Sequence, residues 1–184
     1  MPKPTLYFLR SSEQKIATNM LHYSMRLDEL NKSLSDFPQL SIYERFYGLS
    51  SKDLGLYALV DNKIVGAVWI RKLKAEDNAQ GFIDADTPIL NIAVLPEFRK
   101  KGIASFMLEQ LLQEAGAVFQ KISVAPLKNS NAIKLFEKFG FEKVKGSEDK
   151  SIIDASETIT MLKTLELQEV LRPSDGYDPR RWMD

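Results

Sequence analysis

Ile92-Ala93-Val94-Leu95-Pro96-Glu97-Phe98-Arg99-Lys100-Lys101-Gly102-Ile103-Ala104 is an apolar run that meets a proline, a charged turn, and then a glycine followed by small and apolar residues. The run from Ile89 to Leu95 reads as a β-strand closed by Pro96, which has no N–H for a ladder. Over residues 100–117, Ile103, Ala104, Met107, Leu108, Leu111, Leu112 and Ala115 fall on one helical stripe, with Ser105, Glu109, Gln113 and Glu114 off it. The segment is therefore a strand, a short turn and a helix. A helix start presents unpaired N–H groups and about half a positive charge, and small residues such as Gly102 and Ala104 let a phosphate come close. Arg99, Lys100 and Lys101 add basic side chains. Two readings stand at this point: a phosphate loop, or a glycine that only permits the turn beside solvated lysines. Neither G-x-x-x-x-G-K-[ST] nor G-x-G-x-x-G occurs, which removes the P-loop and dinucleotide readings.

Working outward, strand and helix periods alternate without an internal repeat, as expected of one α/β or α+β domain. Thr5 to Leu9 reads as a first strand, and Ser11-Ser12-Glu13 supplies capping chemistry for a helix running to about Leu30. A short helix is expected from Ser41 to Tyr47, ending at Gly48. Leu54 to Val60 and Lys63 to Lys72 form a hairpin around Asp61-Asn62. Lys121 to Ala125 is a short strand, and Asn129 to Phe139 a helix with Ala132, Leu135, Phe136 and Phe139 inward and Gly140 at the left-handed C-terminal position. Phe141 to Lys145 and Thr158 to Leu165 read as a final strand pair around a charged, poorly ordered turn. The last stretch, through Arg180-Arg181-Trp182, is loop-like.

Composition narrows the chemistry. The 184 residues are 44% apolar, enough for a core without staples. There is no Cys and one His, His22, so thiol nucleophiles, Cys-ligated zinc, iron–sulfur clusters and multi-histidine metal sites are excluded; no metal is expected. The 25 basic and 25 acidic residues balance, which argues against nucleic acid as a partner. No run of about 18 apolar residues suggests a membrane span, and Met1-Pro2-Lys3-Pro4-Thr5 does not look like a signal peptide. A cytoplasmic protein is the expectation.

The string from Ile92 to Ala104 resembles the acyl-CoA-binding motif of the GNAT superfamily of N-acetyltransferases, [QR]-x-x-G-x-[GA] after an apolar strand, here Arg99-Lys100-Lys101-Gly102-Ile103-Ala104. A second stretch, Asn129-Ser130-Asn131-Ala132-Ile133-Lys134-Leu135-Phe136-Glu137-Lys138-Phe139-Gly140-Phe141, resembles that superfamily's N-x-x-A-x-x-L-[YF]-x-K-x-G-F helix. The resemblance implies an α+β fold, an α/β sandwich whose mixed, mostly antiparallel sheet is flanked by helices and splayed between its fourth and fifth strands. It covers a GNAT domain over residues 1–163, leaving 164–184 as a C-terminal extension. It further implies that the main chain of Ile92, Ala93 and Val94 pairs with the pantetheine arm of acetyl-CoA. The N–H groups from Arg99 through Lys100, Lys101, Gly102, Ile103 and Ala104 to Ser105 would hold the pyrophosphate. Asn129 would bond the pantetheine, Phe136 would pack near the thioester, and Val94 or its neighbour would offer an N–H to the thioester oxygen. The implied reaction is acetyl transfer from acetyl-CoA to a primary amine, on a small molecule or a protein. With no Cys to form an acetyl-enzyme, transfer is expected to be direct, through a ternary complex. A non-catalytic acyl-CoA-binding or regulatory module is the alternative.

Two positions depart from the family pattern. Phe136 stands where many members have a Tyr that protonates the leaving thiolate, and Ser123 is nearest to a Glu that serves some members as base. No catalytic acid or base is therefore assigned. General acid–base catalysis contributes about 10²–10⁴-fold, so positioning and oxyanion stabilisation remain the main expected sources of rate. Glu76, Asp77, Asp84 and Asp86 lie in a loop without a basic residue, read either as a guide for a cationic amine or as a solvated loop. On the first reading, Asp86→Asn lowers kcat/KM for such an amine more than Glu76→Gln. Asn91 is a polar residue in an apolar strand, a candidate for acceptor contact or for capping a splayed backbone. His22 and the i, i+3, i+4 set Tyr43, Phe46 and Tyr47 read first as packing. Trp182 reads as an anchor on its own domain or on a second copy, which makes a homodimer a candidate assembly.

Overall fold

The structure, a computed structural model, describes residues 3–166. Its strands are β1 (Thr5–Phe8), β2 (Leu54–Val60), β3 (Lys63–Arg71), β4 (Ile89–Val94), β5 (Lys121–Val124), β6 (Glu142–Lys143), β7 (Asp149–Lys150), β8 (Glu157–Thr158) and β9 (Met161–Thr164). The helices are α1 (Gln14–Ser24), α2 (Ile103–Ala115) and α3 (Ala132–Lys138). Seven strands form one sheet in the order β1-β2-β3-β4-β5-β9-β6, and β7 with β8 makes a separate ribbon. Within the large sheet every pairing is antiparallel except β4 with β5. The expected mixed α+β sandwich is the observed fold.

The β2–β3 hairpin shows how local chemistry sets register. Asp61 and Asn62 both take positive φ, 49° and 63°, the left-handed pair that a two-residue hairpin turn requires. Val60 then faces Lys63, and a bulge at Ala58/Leu59 shifts the register beyond it.

Alternation along β3 and β4 divides the core in two. Val68, Ile70, Leu90 and Val94 pack with Ile103, Met107, Leu108 and Leu111 of α2 and with Ile133 and Phe136 of α3. Ala67, Trp69, Ile89 and Ala93 face the other way, against Ala17, Met20 and Leu21 of α1. Helices therefore cover both faces of β4, and its ends are where loops reach the surface.

Several boundaries differ from the sequence expectation. The first helix ends at Ser24 rather than near Leu30, because Arg26 and Asn31 take positive φ (57° and 53°) and turn the chain. The expected helix over 41–47 is a 3₁₀ segment, Pro38–Tyr43, followed by turns, with Phe46 at φ 59°. The Asn129 helix begins only at Ala132, and Ile133 rather than Ala132 is buried on it. The charged turn after Phe141 is not irregular throughout: it carries the β7–β8 ribbon. Among the described residues no helix is long and apolar enough to cross a membrane. Arg180, Arg181 and Trp182 lie outside the described residues, as does nearly all of the 164–184 extension.

Candidate active site

β4 is paired with β3 along its whole length, from Gly66↔Val94 to Arg71↔Ile89. With β5 it shares one position, Ile89↔Ser123, where the Ser123 N–H donates to the Pro88 carbonyl at 3.1 Å. Beyond that point the two parallel strands part, leaving a V-shaped opening between Leu90–Val94 and the end of β5. Backbone groups in a strand alternate sides, and the Leu95 N–H donates toward β3, to Val65, at 2.8 Å. Ile92 and Val94 consequently turn their N–H and C=O groups into the V, as Leu90 turns its C=O, while the Leu90 N–H completes the bridge to β5 at Ser123. Ala93 turns its own toward β3, where it pairs with Ala67, so its main-chain groups do not face the V as the resemblance implied.

At the mouth of the V, Pro96–Phe98 forms a 3₁₀ turn, and Lys100 and Gly102 both adopt left-handed φ, 61° and 82°. These two reversals delay α2 to Ile103, whose first backbone bond runs from the Phe106 N–H to the Gly102 carbonyl at 3.0 Å. The N–H groups of Lys100, Lys101, Gly102, Ile103, Ala104 and Ser105 have no acceptor among the described residues. Arg99 differs from the expectation: its N–H bonds the Pro96 carbonyl at 3.3 Å. A Cβ added at Gly102 would meet nothing within 4 Å, so the space over this loop is open. Lys63 and Lys101 place their ammonium groups 5.5 and 5.7 Å from the Phe98 ring centre, bringing a third lysine, Lys63, to the loop from β3. Six free N–H groups, a helix start and flanking lysines make a site for a polyanion.

The other sequence candidates fall into distinct places. Asn129 is exposed in the turn before α3. Phe136 is 2% exposed and packs edge-on against Phe141 with ring centres 5.4 Å apart. Asn91 is buried on the α1 face, where the Ser24 hydroxyl donates to its Oδ1 at 3.4 Å. Ser123 is fully buried at the closed end of the V, and its Oγ has no hydrogen-bond partner. His22 stands edge-on to Tyr23 and lines a groove of about 520 Å³ with Ile16, Asn19, Ile64 and Leu95.

Tyr43 and Tyr47 are buried, whereas Phe46 is 59% exposed, so the three do not form one face. Tyr43 accepts the Gln80 N–H at 2.9 Å, and burial pushes its hydroxyl up to about 12. Burial also raises Tyr47, whose O–H donates to the Leu9 carbonyl at 3.2 Å. In the acidic loop, Asp84 Oδ1 accepts the Thr87 O–H and the Asp86 N–H, both at 2.9 Å, and the Thr87 hydrogen bond leads in holding this carboxyl below its ordinary value. Asp77 accepts the Lys74 N–H at 2.8 Å, and Asp86 lies 3.4 Å from Lys72. Asp84 and Thr87 thus shape the turn that leads into the closed end of the V.

A family model described as an acetyltransferase (GNAT) domain matches residues 52–143, half of the chain, spanning the hairpin, β4, the anion loop, β5 and α3. The chain belongs to the GNAT acetyltransferase family. A curated N-alpha-acetyltransferase of Saccharolobus solfataricus is 33% identical over 105 residues, covering 51% of this chain and 61% of that relative. The chain thus matches about three fifths of the relative's length. Among solved structures, an acetyltransferase of the GNAT family from Streptococcus pneumoniae superposes with a TM-score of 0.64 at 16% identity, over 89% of this chain and 99% of that one. A GNAT superfamily phosphinothricin acetyltransferase from Sinorhizobium meliloti, in complex with acetyl-CoA, gives 0.61 at 18% identity over 97% of each chain. These two likenesses concern the fold.

Within the family frame, the departures at Phe136 and Ser123 gain a physical description. Phe136 belongs to the α2–α3 core and has no proton to donate. Ser123 sits where the strands part, with a neutral hydroxyl. That the Leu90 carbonyl faces the V is legible from alternation once β4 is assigned, but Lys63 carries no signal, since only the hairpin register brings it beside Phe98.

Proposed function

We propose that this protein transfers an acetyl group from acetyl-CoA to a primary amine, directly and within a ternary complex. The observation that carries the reading is the continuity of two features: the unpaired main-chain groups of Ile92, with the Leu90 carbonyl and the Val94 N–H, in the V, and six free N–H groups from Lys100 to Ser105 at its mouth. The first suits the amide-bearing pantetheine arm and the second the pyrophosphate. A thioester at the inner end of that arm lies deeper in the V than Val94, beside Ile92, whose N–H points into the V and would stabilise the oxyanion. The amine nitrogen attacks the thioester carbon, the C–S bond breaks, CoA leaves as thiolate, and the amine gives up a proton to solvent. Phe136 supplies no acid, so rate comes from positioning and oxyanion stabilisation.

The α-amine at the N-terminus of a peptide is the acceptor to test first, because the curated relative is an N-alpha-acetyltransferase. CoA release is followed with a thiol-reactive dye over a panel of peptides, polyamines and small amines; with no Cys in the chain the protein adds no background. Turnover with intersecting initial-rate lines is the expected result. Parallel lines contradict the ternary complex, CoA binding without turnover favours the non-catalytic binder, and absence of CoA binding overturns both.

A further inference from the structure

Arg99 stands at the first position of the family motif, yet its side chain turns away from the anion loop. Nε donates to the Val94 carbonyl at 3.0 Å, Nη1 donates to Glu29 Oε1 at 3.2 Å, and Nη2 lies 3.6 Å from Asp28 Oδ2. Each guanidinium nitrogen thus faces a protein oxygen. The carboxylates come from the segment after α1, about seventy residues earlier in the chain. That segment is itself anchored: Arg26 lies 3.9 Å from Glu29 and 3.5 Å from Asp154 between β7 and β8, and the Lys32 ammonium donates to the Ile153 carbonyl at 2.8 Å. Asp28 has a further buried oxygen, Oδ1, without a partner, so its negative charge leans on the Arg99 contact.

The Val94 carbonyl is the last group of β4 that points into the V. Arg99 Nε occupies it and so marks where strand-like pairing with a ligand stops and the anion loop begins. We propose that Arg99 is a positioning residue, which clamps the end of β4 to the Asp28–Glu29 segment and leaves phosphate to the N–H groups of Lys100 to Ser105. The proposal rests on the acyl-CoA reading for its ligand but not for the clamp itself. Without the clamp, the 95–102 loop samples other conformations and apparent affinity falls by the fraction that remains competent. Saturating cofactor recovers that fraction, so the penalty falls on KM and not on kcat.

The test is a cycle of Arg99→Gln, the Asp28→Asn/Glu29→Gln pair, and all three together, with CoA Kd measured by calorimetry well below each variant's melting temperature. A clamp predicts a five- to twentyfold weaker Kd for each variant and no further loss when all three are combined. In turnover with an acceptor from the panel, the carboxylate pair raises KM for acetyl-CoA by the same factor and leaves kcat within twofold. If Arg99 contacts phosphate instead, freeing it from its carboxylates leaves Kd unchanged or tighter, and the proposal is overturned. A fall in kcat at unchanged Kd also overturns it. Hydrogen exchange on the ligand-free protein reads the clamp without CoA: the bonded amides of Phe98 and Arg99 exchange at least tenfold faster in both variants. Unchanged exchange ends the proposal, whereas wild-type protein that binds no CoA ends the proposed function and leaves the exchange result to judge the clamp.

Discussion

Replacing Gly102 by Ala separates the cost of a backbone conformation from the cost of a blocked ligand. Gly102 holds φ at 82°, and a Cβ added there meets no protein atom within 4 Å. Stability therefore pays only the left-handed penalty of a non-glycine residue, about 1–2 kcal/mol. At about 2–4 °C per kcal/mol for a domain of this size, the melting temperature falls by roughly 2–8 °C. Binding suffers differently, because the methyl group stands in the space from which an anion reaches the six free N–H groups. Displacing one charge-assisted hydrogen bond costs about 1.5–3 kcal/mol, which is roughly 10- to 150-fold in Kd. Calorimetry with CoA at 15 °C, where both proteins are folded, reads the second effect, and a melting scan reads the first. Gly102→Glu, which adds a carboxylate in the same place, abolishes detectable binding. Should Gly102→Ala melt lower yet bind CoA within twofold of the parent, the assignment of this loop to phosphate is wrong.

Three other outcomes are expected. Asp53 is 3% exposed at its side chain, lies 3.2 Å from the Arg71 Nε and accepts the Gly48 N–H at 2.9 Å; Asp53→Ala strands a buried cation and costs about 3–5 kcal/mol, seen as a lower midpoint in urea at unchanged slope. Phe136→Tyr puts a hydroxyl into the core beside Phe141, lowering stability by about 1–3 kcal/mol with kcat within threefold; a tenfold rise in kcat shows instead that the hydroxyl reaches the thioester. Tyr43, raised from 10.0 to about 12 by burial, is held neutral in the fold. Its contribution is full below pH 10 and fades as pH rises toward about 12, an alkaline loss that corresponds to about 3 kcal/mol. Tyr43→Phe flattens that limb in denaturation curves, and an unchanged limb assigns the loss to other groups.

Local chemistry made much of the fold legible. The Asp61-Asn62 turn, the apolar run of β4, the α2 stripe and Gly140 each announce themselves within a few residues, because turn dihedrals and side-chain periodicity are local properties. The expected helix to Leu30 and the expected short helix over 41–47 failed where short-range signals were overruled. Residues 25–31 carry helix-compatible side chains, yet the chain turns there to bring Asp28 and Glu29 to Arg99. Residues 44–47 unwind while Arg71 takes the carbonyls of Ile42 and Arg45. No window around either segment contains its partner.

For the candidate site, the sequence by itself determined the strand from Ile89, the turn after Pro96 and the helix through Ala115, with Gly102 and its lysines at the junction. Those residues stand in order along the chain, and the same letters carry the family resemblance that implies a phosphate ligand there. Tertiary structure alone decided which groups face the opening. Pairing of β4 with β3 commits Ala93 and leaves Ile92, the Leu90 carbonyl and the Val94 N–H facing the V that the single contact with β5 opens. It also decided what Arg99 does, since a guanidinium goes to whichever oxygens the fold brings near it. Local dihedral preference and periodicity are written in neighbouring residues, whereas the direction of a main-chain group or a charged side chain depends on partners the chain supplies from far away.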